Sequence, residues 1–191
     1  MSTDLGTPAV EEFSSSGPCP ACGFDPDDVT PYDAAMTLRS FPRRWRSGLA
    51  MNLDDPDPEG ILSGRPAPGQ WTALEHAGHV RDVLHALDIR LQRVLREEEP
   101  VLPETHVTPP SGANEQGMAV VLAALSVSAD QLARTIEQTP SSAWSRTGRR
   151  AGRTVSAIAL VREAVHEGGH HLHQALDVLE ELRLPTTSSL N

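Results

Sequence analysis

Three stretches rich in proline and glycine, 54–69, 100–112 and 140–152, divide this chain into segments that carry apolar residues at helical spacing. The first segment has Thr30, Pro31 and Asp33 as an N-cap, a first-turn proline and an early acid, followed by Leu38, Phe41, Trp45 and Leu49 on one face. Pro42 lies inside it and removes a backbone donor, which predicts a kink or a break near Ser40. In the second, Thr72 and Glu75 are spaced as a capping box, and Val80, Val83, Leu84, Leu87, Leu91 and Val94 form a stripe reaching about Glu98. Asn114 can cap a third helix bearing Leu122, Leu125, Leu132 and Ile136. Gly148 and Gly152 mark a turn or short hairpin, and a last helix over about 154–182 turns Ile158, Val161, Val165, Leu172, Leu176 and Leu179 toward a core. The pattern predicts an all-α, up-down four-helix bundle with long connections over 30–184, preceded by a flexible, extended arm at 1–29 and followed by a flexible tail at 185–191.

A chain of 191 residues, 38% hydrophobic, can bury one sizeable core. With aromatics at 4%, that core must be aliphatic. A net charge of -10 argues against nucleic acid or an anionic membrane as partner, since the Arg43/Arg44/Arg46 and Arg146/Arg149/Arg150/Arg153 groups read as solvated faces or turns. All basic residues are Arg, a mark of GC-rich coding. The N-terminus lacks a basic region followed by an apolar one, and no apolar run reaches membrane-spanning length on this reading. The expected location is the cytoplasm, where Cys19 and Cys22 stay reduced unless a metal or redox role claims them.

Six of eight histidines fall into two groups, His76 and His79 on the second helix and His166, His170, His171 and His173 on the last. His166 and His170 are four apart and share a helical face, which His173 extends; His79 borders the apolar side of its own helix. Imidazoles converging from facing helices of a bundle are a common transition-metal site, and three such ligands leave positions open for chemistry. An i, i+4 histidine pair alone balances evenly between ligands and ordinary surface residues, and the second reading is preferred for His85, His106 and His171. Adjacent Gly168 and Gly169 are costly in a helix and read either as a break or as room for a metal or a close neighbour.

The segment GQWTALEHAGHVRDVL resembles the tryptophan-led helix of the DinB/YfiT-like superfamily, with His79 and Asp82 in the places of a ligand histidine and the aspartate three residues on. VHEGGHHLHQALDVL resembles its final-helix signature, whose two ligands match His166 and His170. Asn114–Gln116 with its preceding loop also resembles a subgroup that carries an N-terminal CPxCG. The resemblance spans about 30–182 and implies a four-helix bundle, often a homodimer, holding one divalent transition metal, zinc or nickel, at His79, His166 and His170. Asp82, His76 and His173 are then the supporting or acid–base candidates, His76 and His173 being additions to the family pattern. A related maleylpyruvate isomerase-like group uses a His/Glu/His set, for which Glu163 and Glu167 are present but less well matched.

Characterised branches of that superfamily transfer a low-molecular-weight thiol to an electrophilic small molecule, and the GC-rich coding favours mycothiol as cosubstrate. The alternatives are a non-catalytic metal-binding stress-response protein and a metal-assisted isomerase or hydrolase. Cys19-Pro-Ala-Cys22-Gly has the form of half a zinc ribbon; a remote histidine such as His106, or a second subunit, would have to complete a second zinc site, and an inert remnant is an equal reading.

Overall fold

The computed structural model describes residues 17–50, 56–104 and 112–183. His106 and the expected tail lie outside these residues. Four long helices make the framework: α1 (Pro31–Ala50), α3 (Ala73–Arg96), α4 (Ala113–Glu137) and α5 (Ala157–Arg183), with a short α2 (Pro58–Leu62) after α1. Each of α1 and α3 packs on both α4 and α5, so α1 and α3 stand across one diagonal of the bundle and α4 and α5 across the other. The successive long helices α1 and α3 are therefore not neighbours, and the long connection between them, which carries α2, is what lets the chain cross the bundle.

The core is aliphatic apart from Phe41 and Trp45, and joins Leu38 and Leu49 of α1 to Leu74, Leu84, Leu87 and Leu91 of α3, Leu125 and Leu132 of α4, and Leu160 and Leu179 of α5. Helix α1 runs unbroken through Pro42. The expected break does not occur, because apolar side chains on both sides of Pro42 are buried on one continuous face, and their burial outweighs one missing hydrogen bond. At the start of α3 the capping box forms as expected: Thr72 Oγ1 accepts from the Glu75 amide at 3.0 Å, and Glu75 accepts from the Thr72 amide at 2.9 Å.

Asn114 does not cap α4. Gly112, at φ 85°, occupies the cap position, and Asn114 turns to α3, accepting from the Thr72 hydroxyl at 2.7 Å. A second departure lies at Gly117, whose φ of 74° interrupts α4 just after its first turn. By length and composition alone α4 could cross a membrane, although no uninterrupted apolar run in it reaches that length. Its Val121, Leu122, Leu125, Leu132 and Ile136 are instead buried in the bundle, and Arg39 of α1 holds its Asp130 at 3.0 Å and Glu137 at 2.8 Å.

Between α4 and α5 the chain forms the hairpin that the glycines announced, β1 (Thr147–Arg150) paired antiparallel with β2 (Arg153–Ser156). Both turn residues, Ala151 and Gly152, have positive φ, as a two-residue hairpin turn of matching twist requires. Helix α5 consequently starts at Ala157, after the hairpin. Arg150 of β1 binds Glu163 of α5 at 2.8 Å, which gives Glu163 a structural partner away from any ligand set. The segment set apart as an arm also meets α5: Phe24 and Val29 pack on the core, and Arg162 donates to the Val29 carbonyl at 3.2 Å.

Candidate metal centre

Residues 166 and 170 occupy one row of α5, and 167 and 171 the next row, about 100° round the helix. The two rows meet different neighbours. Row 167/171 faces α3: the Glu167 carboxylate oxygen Oε2 lies 3.3 Å from His79 Nε2 and 3.4 Å from His171 Nε2. The rings of His79 and His171 are 4.4 Å apart, centre to centre. One donor atom from each of His79, Glu167 and His171 falls within 4.8 Å of the others. Row 166/170 faces the N-terminal segment, where the corresponding donors of Cys19, Cys22, His166 and His170 also lie within 4.8 Å of one another.

The three-ligand set expected from the sequence is thus divided: His79 joins Glu167 and His171, whereas His166 and His170 join the two cysteines. His171, read from the sequence as an ordinary histidine, and Glu167, set below the histidine pair, are the residues that reading missed. The signal was present, because Glu167 and His171 repeat the four-residue spacing of His166 and His170 one position later. Spacing on a single helix gives the rows but not the neighbour each row meets.

His76 stands behind the first cluster, its Nδ1 2.9 Å from His171 Nδ1. Burial, reinforced by His171, His79 and His170 nearby, lowers its pKa to about 3, so the ring is neutral near pH 7. Burial also lowers His171, against the opposing pull of Glu167. For Glu167 burial alone would raise the carboxyl, but hydrogen bonds from His171 and His79 outweigh it and hold the group well below the usual carboxylate range. Trp71, just before α3, lies over the cluster, stacked on His171 at 5.8 Å and edge-on to His79 at 5.1 Å.

The other two acid–base candidates lie elsewhere. Asp82 is more than half exposed and takes two bonds from its neighbour Arg81, at 2.7 and 2.9 Å. His173 is similarly exposed and faces Asp177 at 3.7 Å. His85 is exposed, as the bland reading expected. Gly168 and Gly169 sit between the donors without breaking α5. A Cβ on Gly168 would come within 2.0 Å of Phe41 Cε2, so this glycine serves the close approach of α1 and α5, whereas a Cβ on Gly169 meets nothing within 4 Å.

The first cluster fits a divalent cation. Nitrogen and oxygen donors at about 2.0–2.2 Å from a tetrahedral ion stand about 3.3–3.6 Å apart, the range of both imidazole–carboxylate distances. With its Nδ1 against the neutral His76, His171 turns its Nε2 to the Glu167 oxygen, where a cation would take the place of the hydrogen bond.

Fold and site together describe a helical-bundle protein with a two-histidine, one-carboxylate metal-type centre. The model of the DinB superfamily matches residues 46–175, more than half of the chain, and the chain belongs to that superfamily. Among solved structures it is similar to YfiT from Bacillus subtilis, described as a probable metal-dependent hydrolase with an unusual four-helix bundle topology, with a TM-score of 0.69 and 13% identity over 82% of this chain and 91% of that one. No curated protein sequence matches the chain.

Proposed function

We propose that this protein is a metal-dependent enzyme whose divalent transition metal is held by His79, Glu167 and His171 and which joins a low-molecular-weight thiol, of the mycothiol kind, to an electrophilic small molecule. The observation that carries the metal assignment is the shared Glu167 oxygen between two imidazole nitrogens from different helices, at 3.3 and 3.4 Å. Three protein donors leave coordination positions for reactants, as in catalytic centres. A cation so held would act as a Lewis acid and lower the pKa of a thiol or water that binds it.

The chain's own residues prepare that site. Glu167 would offset part of the cation's charge, and without the cation its carboxylate is already held ionised by hydrogen bonds from its two histidine partners. His76 orients the His171 ring through the Nδ1 contact, and Trp71 covers ring faces that water would otherwise reach. The reacting thiol comes from solution, because the chain's two cysteines lie in the N-terminal loop, beside His166 and His170 of the neighbouring row. Thiol transfer itself rests on the family resemblance of the sequence.

A second reading, hydrolysis with water as nucleophile, is favoured by the donor set, since two histidines and a glutamate are also the ligands of metal hydrolases. One experiment separates the two. Metal-loaded and metal-stripped protein are assayed against a panel of electrophiles and a panel of esters and amides, each with and without mycothiol. Metal-dependent turnover that requires the thiol supports transfer; metal-dependent turnover without it replaces transfer with hydrolysis; equal rates for loaded and stripped protein reject a metal-dependent enzyme.

A further inference from the structure

The second cluster has a different chemistry. Its four donors are two sulfurs from one loop and two imidazoles one helical turn apart on α5. Cys19 Sγ lies 3.8 Å from His170 Nδ1, close to the separation of about 3.6 Å expected for a thiolate and an imidazole on one tetrahedral zinc ion. The loop already has the shape of a knuckle. The Cys19 amide donates to the Phe24 carbonyl and the Gly23 amide to the Cys19 carbonyl, both at 2.8 Å, and Gly23 takes the positive φ of 72° that the reversal needs. Contacts beyond the donors hold the loop in place: the Phe24 ring lies 5.3 Å from that of His166, and Arg162 reaches Asp27 at 3.3 Å.

We infer that Cys19, Cys22, His166 and His170 form a closed zinc-type site that fastens residues 17–29 to α5. Two cysteines and two histidines fill a tetrahedral ion, which leaves no open position and makes the site structural. Paired sulfurs select zinc over the hard cations magnesium and calcium. Loading the site releases the two thiol protons to solvent and forms two metal–sulfur and two metal–nitrogen bonds, with no change of oxidation state. The site also explains why α5 carries two donor rows one residue apart: the row next to Glu167 and His171 anchors the segment that covers this side of the helix.

The test uses the full-length protein, stripped under reducing conditions and reloaded with cobalt(II) alone. The wild type should show the near-ultraviolet charge-transfer absorption of cobalt bound to two thiolates, with the intense visible bands of a tetrahedral ion. The double variant Cys19→Ser/Cys22→Ser should lose the charge-transfer absorption and one metal equivalent. His79→Ala should keep the absorption and lose the other equivalent, so failure at one site is distinguished from failure at the other. A thiol reagent provides the check that needs no variant: in zinc-loaded wild type both cysteines should react at least tenfold more slowly than in stripped protein. Absence of charge-transfer absorption in the wild type, or equal thiol reactivity with and without zinc, overturns the site.

Discussion

The two donor rows of α5 differ in what completes them. Row 167/171 is completed by His79 from α3, a partner buried in the bundle; row 166/170 is completed by a loop that lies outside the four long helices. The first set has three donors, one of them a carboxylate; the second has four, two of them sulfurs. On the two assignments proposed above, a one-residue step along the helix places an open, reactive type of centre beside a closed, structural one. Placing ligands on rigid helices keeps the open set in position without its cation, whereas the loop-borne set depends on its own turn and on the cation to stay docked.

The comparison is tested most severely by removing donors. Glu167→Ala and His171→Ala should each abolish the metal equivalent at the open site and all metal-dependent turnover, while leaving the cysteine-linked equivalent bound. Metal content by plasma mass spectrometry, with turnover measured on the same samples, checks this. A chelator should strip the open site first, because a free coordination position admits the competing ligand. Simultaneous loss of both equivalents in Glu167→Ala would show that the rows are one cluster and would break the distinction.

Much of this was legible in the sequence. The apolar periods gave the four helices, and the capping box at Thr72 and Glu75 located the start of α3 to the residue. Spacing made His166 and His170 ligand candidates, evenly balanced against ordinary histidines, and the family resemblance added His79. What the sequence withheld was the pairing across space. His166/His170 and Glu167/His171 are equally good helical pairs, and only the packing of α3 on one row and of the CPACG loop on the other tells them apart. Asn114 illustrates the same limit, since its residue type suits a cap but the neighbouring Thr72 and Glu75 claim its side chain. Pro42 is the converse case, where a local break signal yields to the burial of Phe41 and Trp45.

Gly168 and Gly169 allow the comparison to be sharpened, because they separate the donors on the helix but face different surroundings. Gly168→Ala places a methyl against the Phe41 ring, and overpacking of this kind costs about 1–3 kcal/mol. Gly169→Ala meets no neighbour and should stabilise α5 by up to about 1 kcal/mol through helix propensity. Urea unfolding of the two variants should show opposite signs. A neutral Gly168→Ala would mean that α1 and α5 do not approach as closely as the Phe41 contact requires.

The finest distinction is between histidines that support the open centre and those that only share its helices. His76 is buried against His171 through a 2.9 Å nitrogen–nitrogen contact, while His173 and Asp82 are more than half exposed and are engaged by Asp177 and Arg81. Partners that hold a ligand ring typically contribute 10–100-fold to metal affinity or activity. His76→Ala should therefore weaken metal binding at the open site by about that factor without changing its stoichiometry, and His76→Gln, whose amide oxygen can accept from His171 Nδ1, should recover part of the loss. His173→Ala and Asp82→Asn should leave affinity within about twofold, as expected for exposed groups whose ion pairs contribute little. Competitive titration with a chromophoric chelator measures all four variants on one scale. If His173→Ala weakened the open site as much as His76→Ala, orientation of His171 by its buried neighbour would no longer explain the effect, and the boundary of the centre would have to be drawn further along α5.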